Sequence, residues 1–121
     1  MHQFGHIGVY VKDLEVSKTF YTEILGCTVL KEYDYPDSHL VFLDAGGTVI
    51  ELISKESVSH RPVRGAIDHM AFKVDSLDEV MILLHNRNIP IIGEPRIVGS
   101  ARIVFIEGPN NERFEFTEHI Q

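Results

Sequence analysis

Two histidines and two glutamates stand in this chain where strand-like runs do not ordinarily carry them. His6 opens HIGVYV and His69 opens HMAFKV, 63 positions on. Glu51 interrupts the apolar run TVIELI, and Glu115 sits between Phe114 and Phe116, 64 positions on. Side chains alternate between the faces of a strand, so Glu115 shares one face with Arg113 and Thr117 and the two phenylalanines share the other. An isolated carboxylate among apolar neighbours is costly to bury; it must ionise against a partner or take up a proton. Taken singly, a strand histidine is an ordinary core or edge residue and a strand glutamate lies on the wet face. Both types recur in the same order at nearly the same offset, which points instead to one metal site supplied with one histidine and one glutamate by each half. Two imidazoles and two carboxylates suit a borderline divalent cation and leave a six-coordinate ion two positions for water or substrate.

A substrate with two neighbouring oxygens could take both positions, and the ion would then stabilise the enolate left when an adjacent C–H loses its proton. A weakly ligating glutamate can serve as base and return the proton to a neighbouring carbon. Two carboxylates also blunt the ion's acidifying effect on water. The set therefore favours isomerisation over hydrolysis.

The elements that must position these residues repeat as well. Val11 matches Val74, Leu14 matches Leu77, and Val41-Phe42-Leu43-Asp44 matches Val104-Phe105-Ile106-Glu107, all at the same offset as the histidines. Asp13 and Ser76, also matched, are both suited to cap a helix N-terminus, and Ser76 with Glu79 spells a capping box. Each half reads as strand, helix and three strands. In the first, His6 to Val11 is a strand, and a helix starts at Asp13 with Val16, Phe20 and Ile24 at helical spacing and Gly26 at its end. Cys27 to Tyr33, Leu40 to Asp44 and Thr48 to Ile53 follow as strands, the last two joined at Ala45-Gly46-Gly47. In the second, the strand Ile67 to Val74 leads to a helix over 77–87 with Val80, Leu83 and Leu84 inward. Strands at 91–98, 102–107 and 113–118 complete it, with Gly108-Pro109-Asn110-Asn111 as the last turn. The expectation is one α+β domain over 1–121: a βαβββ module over about 4–53, a polar connector at 54–66, and a second βαβββ module over about 67–119.

At these residues the sequence resembles the vicinal oxygen chelate superfamily, which contains glyoxalase I, methylmalonyl-CoA epimerase, extradiol dioxygenases and fosfomycin-resistance proteins. The resemblance covers essentially the whole chain and rests on HIGVYVKDLEVSKTFYTEILG, TVIELI, DHMAFKVDSLDE and ERFEF. It implies paired βαβββ modules whose cupped mixed sheets surround a metal, often completed across a homodimer, with the ligands falling on His6, Glu51, His69 and Glu115. The best match within it is glyoxalase I (lactoylglutathione lyase), which isomerises the hemithioacetal of methylglyoxal and a thiol to a 2-hydroxyacyl thioester. By that resemblance Glu115 is the principal base and Glu51 its counterpart. Nickel is favoured for a chain this short, with zinc or cobalt as the other candidates. Members that use glutathione have an arginine where this chain has Tyr10, and an asparagine where it has Lys55. Both departures count against glutathione itself and leave another thiol, or another substrate, open. Tyr10 shares a face with His6 and is expected to line the cup. RGAIDHMAFKVD and GEPRIVGSARIVFIEGP echo methylmalonyl-CoA epimerase, the nearest alternative; a cup that binds a drug or other small molecule without catalysis is the non-enzyme alternative.

The bulk numbers agree with a small-molecule enzyme. The chain has 121 residues, 44% hydrophobic and 24% charged, with a net charge of −7, which argues against nucleic acid or an anionic membrane as partner. Cys27 is the single cysteine, so no intrachain disulfide forms, and a reducing, cytoplasmic setting is expected. His2, His39, His60, His85 and His119 have no counterpart in the other copy and are read as exposed. Asp75 and Asp78 suit a helix start, and Arg61, Arg64, Arg96 and Arg102 are read as solvated.

Overall fold

The computed structural model describes residues 6–56, 67 and 69–120. The chain divides into two compact units, residues 1–62 and 63–121. The division falls inside the polar stretch expected to connect the modules, of which 57–66 lie outside the described residues.

The first unit runs β1 (His6–Tyr10), α1 (Leu14–Thr19), a π-helical segment (Phe20–Ile24), β2 (Thr28–Tyr35), β3 (Ser38–Asp44) and β4 (Val49–Lys55). The second runs β5 (Met70–Lys73), α2 (Leu77–Asn86), β6 (Ile91–Val98), β7 (Ala101–Glu107) and β8 (Arg113–His119). Each forms a four-stranded mixed sheet, in the orders β1-β4-β3-β2 and β5-β8-β7-β6. The first strand lies parallel to the last, and the other three form an antiparallel meander. Two βαβββ modules are present, as the repeat predicts.

Period-two patterning gives each sheet one dry face. In the first module Val41, Leu43, Ile50 and Leu52 are buried, together with Tyr21 and Ile24, and α1 packs on β4. In the second, Val104, Ile106, Phe114 and Phe116 are buried with Leu77 and Leu84, and α2 packs on β7 and β8. The phenylalanines flanking Glu115 thus point toward the helix side and leave Glu115 on the opposite face.

Capping follows the sequence. Asp13 Oδ1 accepts from the Val16 N–H at 3.1 Å, and Ser76 Oγ accepts from the Glu79 N–H at 3.2 Å. Glu118 Oε1 takes a second orphan donor of α2, the Leu77 N–H, at 2.6 Å, tying the helix start to β8. The first helix departs from expectation. Its buried stripe is Ser17, Tyr21 and Ile24, while Val16 is exposed. Positions 17, 21 and 24 keep helical spacing, offset by one residue from Val16 and Phe20, and Phe20–Ile24 widens into a π turn in which the Leu25 N–H reaches back to Phe20 O. Thr22 Oγ1 donates to Lys18 O there at 2.8 Å, a side-chain bond that competes with regular helical pairing. Gly26 then ends the segment at φ +77°, a conformation a Cβ would strain.

Strand boundaries also move by one to three residues, most clearly at β2 and β5. β2 extends to Tyr35 and turns tightly at Pro36-Asp37 into β3. β5 is shorter than the expected Ile67–Val74: its ladder to β8 begins at Met70, and His69 stands just ahead of it. Cys27 is buried, and that burial, followed by Asp44, pushes its thiol up to about 11. Among the described residues, no helix is long and apolar enough to cross a membrane.

Candidate metal centre

Residues paired across a sheet ladder point to the same face. Gly8 pairs with Glu51, and Glu51 with Phe42, so His6, Gly8, Tyr10, Glu51 and Phe42 all lie on the face away from α1. In the second module Ala71 pairs with Glu115 and Glu115 with Phe105. The two faces therefore carry the same plan. His6 Nε2 lies 3.3 Å from Glu51 Oε1, and His69 Nε2 lies 3.4 Å from Glu115 Oε1. The carboxylate side chains are 14% and 18% exposed, the imidazoles 49% and 37%. Each glutamate is sunk in its sheet with its histidine reaching over it.

The ladder partner of each glutamate is small, Gly8 beside Glu51 and Ala71 beside Glu115. A Cβ at Gly8 would come within 3.6 Å of Glu51 Oε1 and 3.2 Å of Ile53 Cδ1; Ala71 takes the same place beside Glu115. Phenylalanines 63 positions apart set the imidazole planes. His6 meets Phe42 edge-on at 5.8 Å between centroids, and His69 meets Phe105 likewise at 5.6 Å. Such T-shaped contacts restrict ring orientation.

These distances suit a shared cation. Two donors, each about 2.1 Å from one ion and subtending roughly 90–110°, lie about 3.0–3.4 Å apart. The four predicted ligands are thus brought together as two pairs, His6 with Glu51 and His69 with Glu115. Among the described residues, no group of three or more His, Cys, Asp or Glu gathers into a site. Tyr10 is on the face of His6, as expected, and 54% exposed.

Phe42, Phe105 and the cations around them were not singled out from sequence, although the aligned blocks at 41–44 and 104–107 contained the signal. Lys31 Nζ lies 5.7 Å from the centroids of both Phe42 and Tyr33. Arg113 lies over Phe105 at 4.4 Å and Arg96 at 5.9 Å. Arg96 is exposed, as expected, but it lies on β6 rather than in a loop, beside a register shift between Ile92 and Arg96 that re-aims the strand. Arg102 is bound to Asp78 at 2.8 Å. His39, His85 and His119 are exposed, His39 bonding to Asp34 at 2.7 Å. His2, His60, Arg61 and Arg64 fall outside the described residues.

The family model described as the Glyoxalase/Bleomycin resistance protein/Dioxygenase superfamily matches residues 3–116. The chain belongs to this superfamily. Similar members include the uncharacterized protein YwbC of Bacillus subtilis, 31% identical, with 94% of this chain and 95% of that protein covered. A lactoylglutathione lyase of Neisseria meningitidis serogroup A is 29% identical, covering 93% of this chain and 88% of its own. Among solved structures, the trypanothione-dependent glyoxalase I of Leishmania major superposes with a TM-score of 0.83 at 30% identity, covering 98% of this chain and 87% of that one. The superfamily's modular βαβββ architecture accounts for both sheets.

Proposed function

We propose that the protein is a metal-dependent lyase of the glyoxalase I type, converting the hemithioacetal of methylglyoxal and a thiol into a 2-hydroxyacyl thioester. The observation that carries this reading is the repeated His–Glu pair, 3.3 and 3.4 Å apart on the same face of each sheet. The likeness to a lactoylglutathione lyase and to a glyoxalase I supports it. His6, Glu51, His69 and Glu115 together hold one divalent ion, the two modules forming one domain whose site is completed within the chain or across a homodimer. The ion, nickel in preference to zinc or cobalt, supplies charge stabilisation at the substrate's two oxygens.

The rest of the work falls to this chain's own side chains. The Glu115 carboxylate takes the proton from the carbon that bears sulfur, and a proton returns to the neighbouring carbon, with Glu51 as the counterpart group. Gly8 and Ala71 leave room over both carboxylates. Tyr10 lines the face beside His6, and its place in the sequence argues for a thiol other than glutathione. The single, buried Cys27 fits a cytoplasmic enzyme that handles small molecules.

The test is metal content of the purified protein, then assay of the nickel- and zinc-loaded forms. Methylglyoxal is supplied with glutathione or other thiols, and methylmalonyl-CoA is run in parallel. Thioester formation is expected. Epimerisation of methylmalonyl-CoA without thioester formation would move the protein to the epimerase reading, and ligand binding without turnover to a binding protein.

A further inference from the structure

Arg113 stands where the duplicated plan does not call for a charge. Its counterpart, 64 positions back, is Val49. The ladder places the two alike: Val49 opposite Asp44, Arg113 opposite Glu107. A valine serves the first sheet at this place, so the second sheet has no architectural need of a guanidinium there. Yet the guanidinium lies 4.4 Å from the Phe105 centroid, and the same ring meets His69 at 5.6 Å. Arg113 is two residues from Glu115 on one strand and therefore on its face.

Its hydrogen bonding is incomplete. Glu107 stands directly across the ladder, but Arg113 Nε is buried and has no hydrogen-bond acceptor among the described residues. A buried donor without an acceptor is costly and calls for an explanation. A second guanidinium, Arg96, lies 5.9 Å from the same ring. In a chain of net charge −7, two like charges thus meet at one ring beside the proposed reaction site. Arg113 lies over the Phe105 ring, and the planar guanidinium carries its N–H donors in a fork that matches the two oxygens of a carboxylate.

We infer that Arg113, backed by Arg96, is a specificity-determining residue that binds a carboxylate carried by the substrate next to the His69–Glu115 pair. This deepens the function proposed above and rests on its reading of that pair; it narrows the thiol to one bearing a carboxylate. Arg113 takes no part in proton transfer.

The experiment is a titration of 15N-labelled protein, nickel-loaded and metal-free, with 3-mercaptopropionate and with its neutral analogue 2-mercaptoethanol. The Arg113 Nε–H resonance is assigned by its disappearance in Arg113→Lys. The acid thiol is expected to shift that resonance and the neutral thiol to leave it in place. Arg113→Gln should weaken binding of the acid thiol about ten- to a hundredfold and leave the neutral thiol's binding unchanged, with Arg113→Lys recovering part of the loss. In turnover, KM for the acidic hemithioacetal should rise while kcat holds. An unmoved resonance, or equal binding of the acid thiol by wild type and Arg113→Gln, overturns the inference. If the metal-site reading alone fails, the protein takes up no ion yet the metal-free form still shows the Arg113 response. If the inference alone fails, the ion is retained and the two thiols are bound alike.

Discussion

Replacing Glu115 by glutamine separates the proton-transfer role from everything else this residue does. Glutamine has nearly the same volume, and the neighbours that hold β8 in the core, Phe114 and Phe116, are 0% and 2% exposed on the opposite face. The position is 18% exposed and pairs with small Ala71, so the amide fits without displacing the sheet. A neutral amide is also cheaper to desolvate than a carboxylate, so the metal-free variant should keep its stability to within about 1 kcal/mol. The amide oxygen and three untouched donors should retain most of the ion. What disappears is the base: its loss costs about 10²–10⁴ in rate, or roughly 2.7–5.5 kcal/mol of barrier. The assay is thioester formation from methylglyoxal and thiol by the nickel-loaded variant, with metal content and thermal unfolding measured on the same sample. Glu51→Gln should lose less. Activity equal to wild type in Glu115→Gln would refute the proton-shuttle assignment. A loss of activity accompanied by loss of ion or fold would show that Glu115 acts only as ligand or scaffold.

Other consequences follow from the same geometry. A Cβ at Gly108 would lie 2.6 Å from Phe114 and 2.8 Å from the Glu112 carboxylate, which is held by the Asn110 N–H; Gly108→Ala should destabilise the protein by about 1–3 kcal/mol in urea unfolding, and an unchanged midpoint would show that the turn yields. The Cys27 thiol, pushed up to about 11 against 9.0 for the free group, should resist iodoacetamide at pH 8 unless the protein is unfolded. Because its folded value is the higher one, the associated stability is complete below about pH 9 and disappears as pH rises through 11; fast native labelling at pH 8 would contradict the burial. Nickel at a hundredfold excess over its Kd should stabilise the fold by about 2.7 kcal/mol, a rise of roughly 10 °C in Tm, and His69→Ala should remove that rise.

Much of this molecule is written in local sequence. The repeat of His6 and Glu51 in His69 and Glu115 marked both His–Glu pairs, because a charged residue in a period-two apolar run must have a partner. The caps at Asp13 and Ser76 were legible for the same local reason: each satisfies donors only three residues away. What was not legible depends on context beyond the next few residues. Val16 fits a helical stripe on paper, but the stripe that packs is Ser17, Tyr21 and Ile24, equally helical in spacing and set by which face meets the sheet. Arg96 fell within an expected strand and was read only as solvated; its place near Phe105 depends on the register shift between Ile92 and Arg96, which involves the neighbouring strand. Arg113 carried no local signal, since its significance lies in a ring on the neighbouring strand and in the valine that replaces it in the other module.

We propose that the two copies supply one site between them, and metal stoichiometry in single and double variants is the test. Wild type, His6→Ala, His69→Ala and the double variant are each dialysed against nickel and the bound ion is counted. About one tightly held ion per chain is expected in wild type, lost to the same extent in either single variant and no further in the double. Two ions per chain, or losses from the two single variants that simply add, would contradict it: each module would then hold its own ion, and the repeat would not be a shared site.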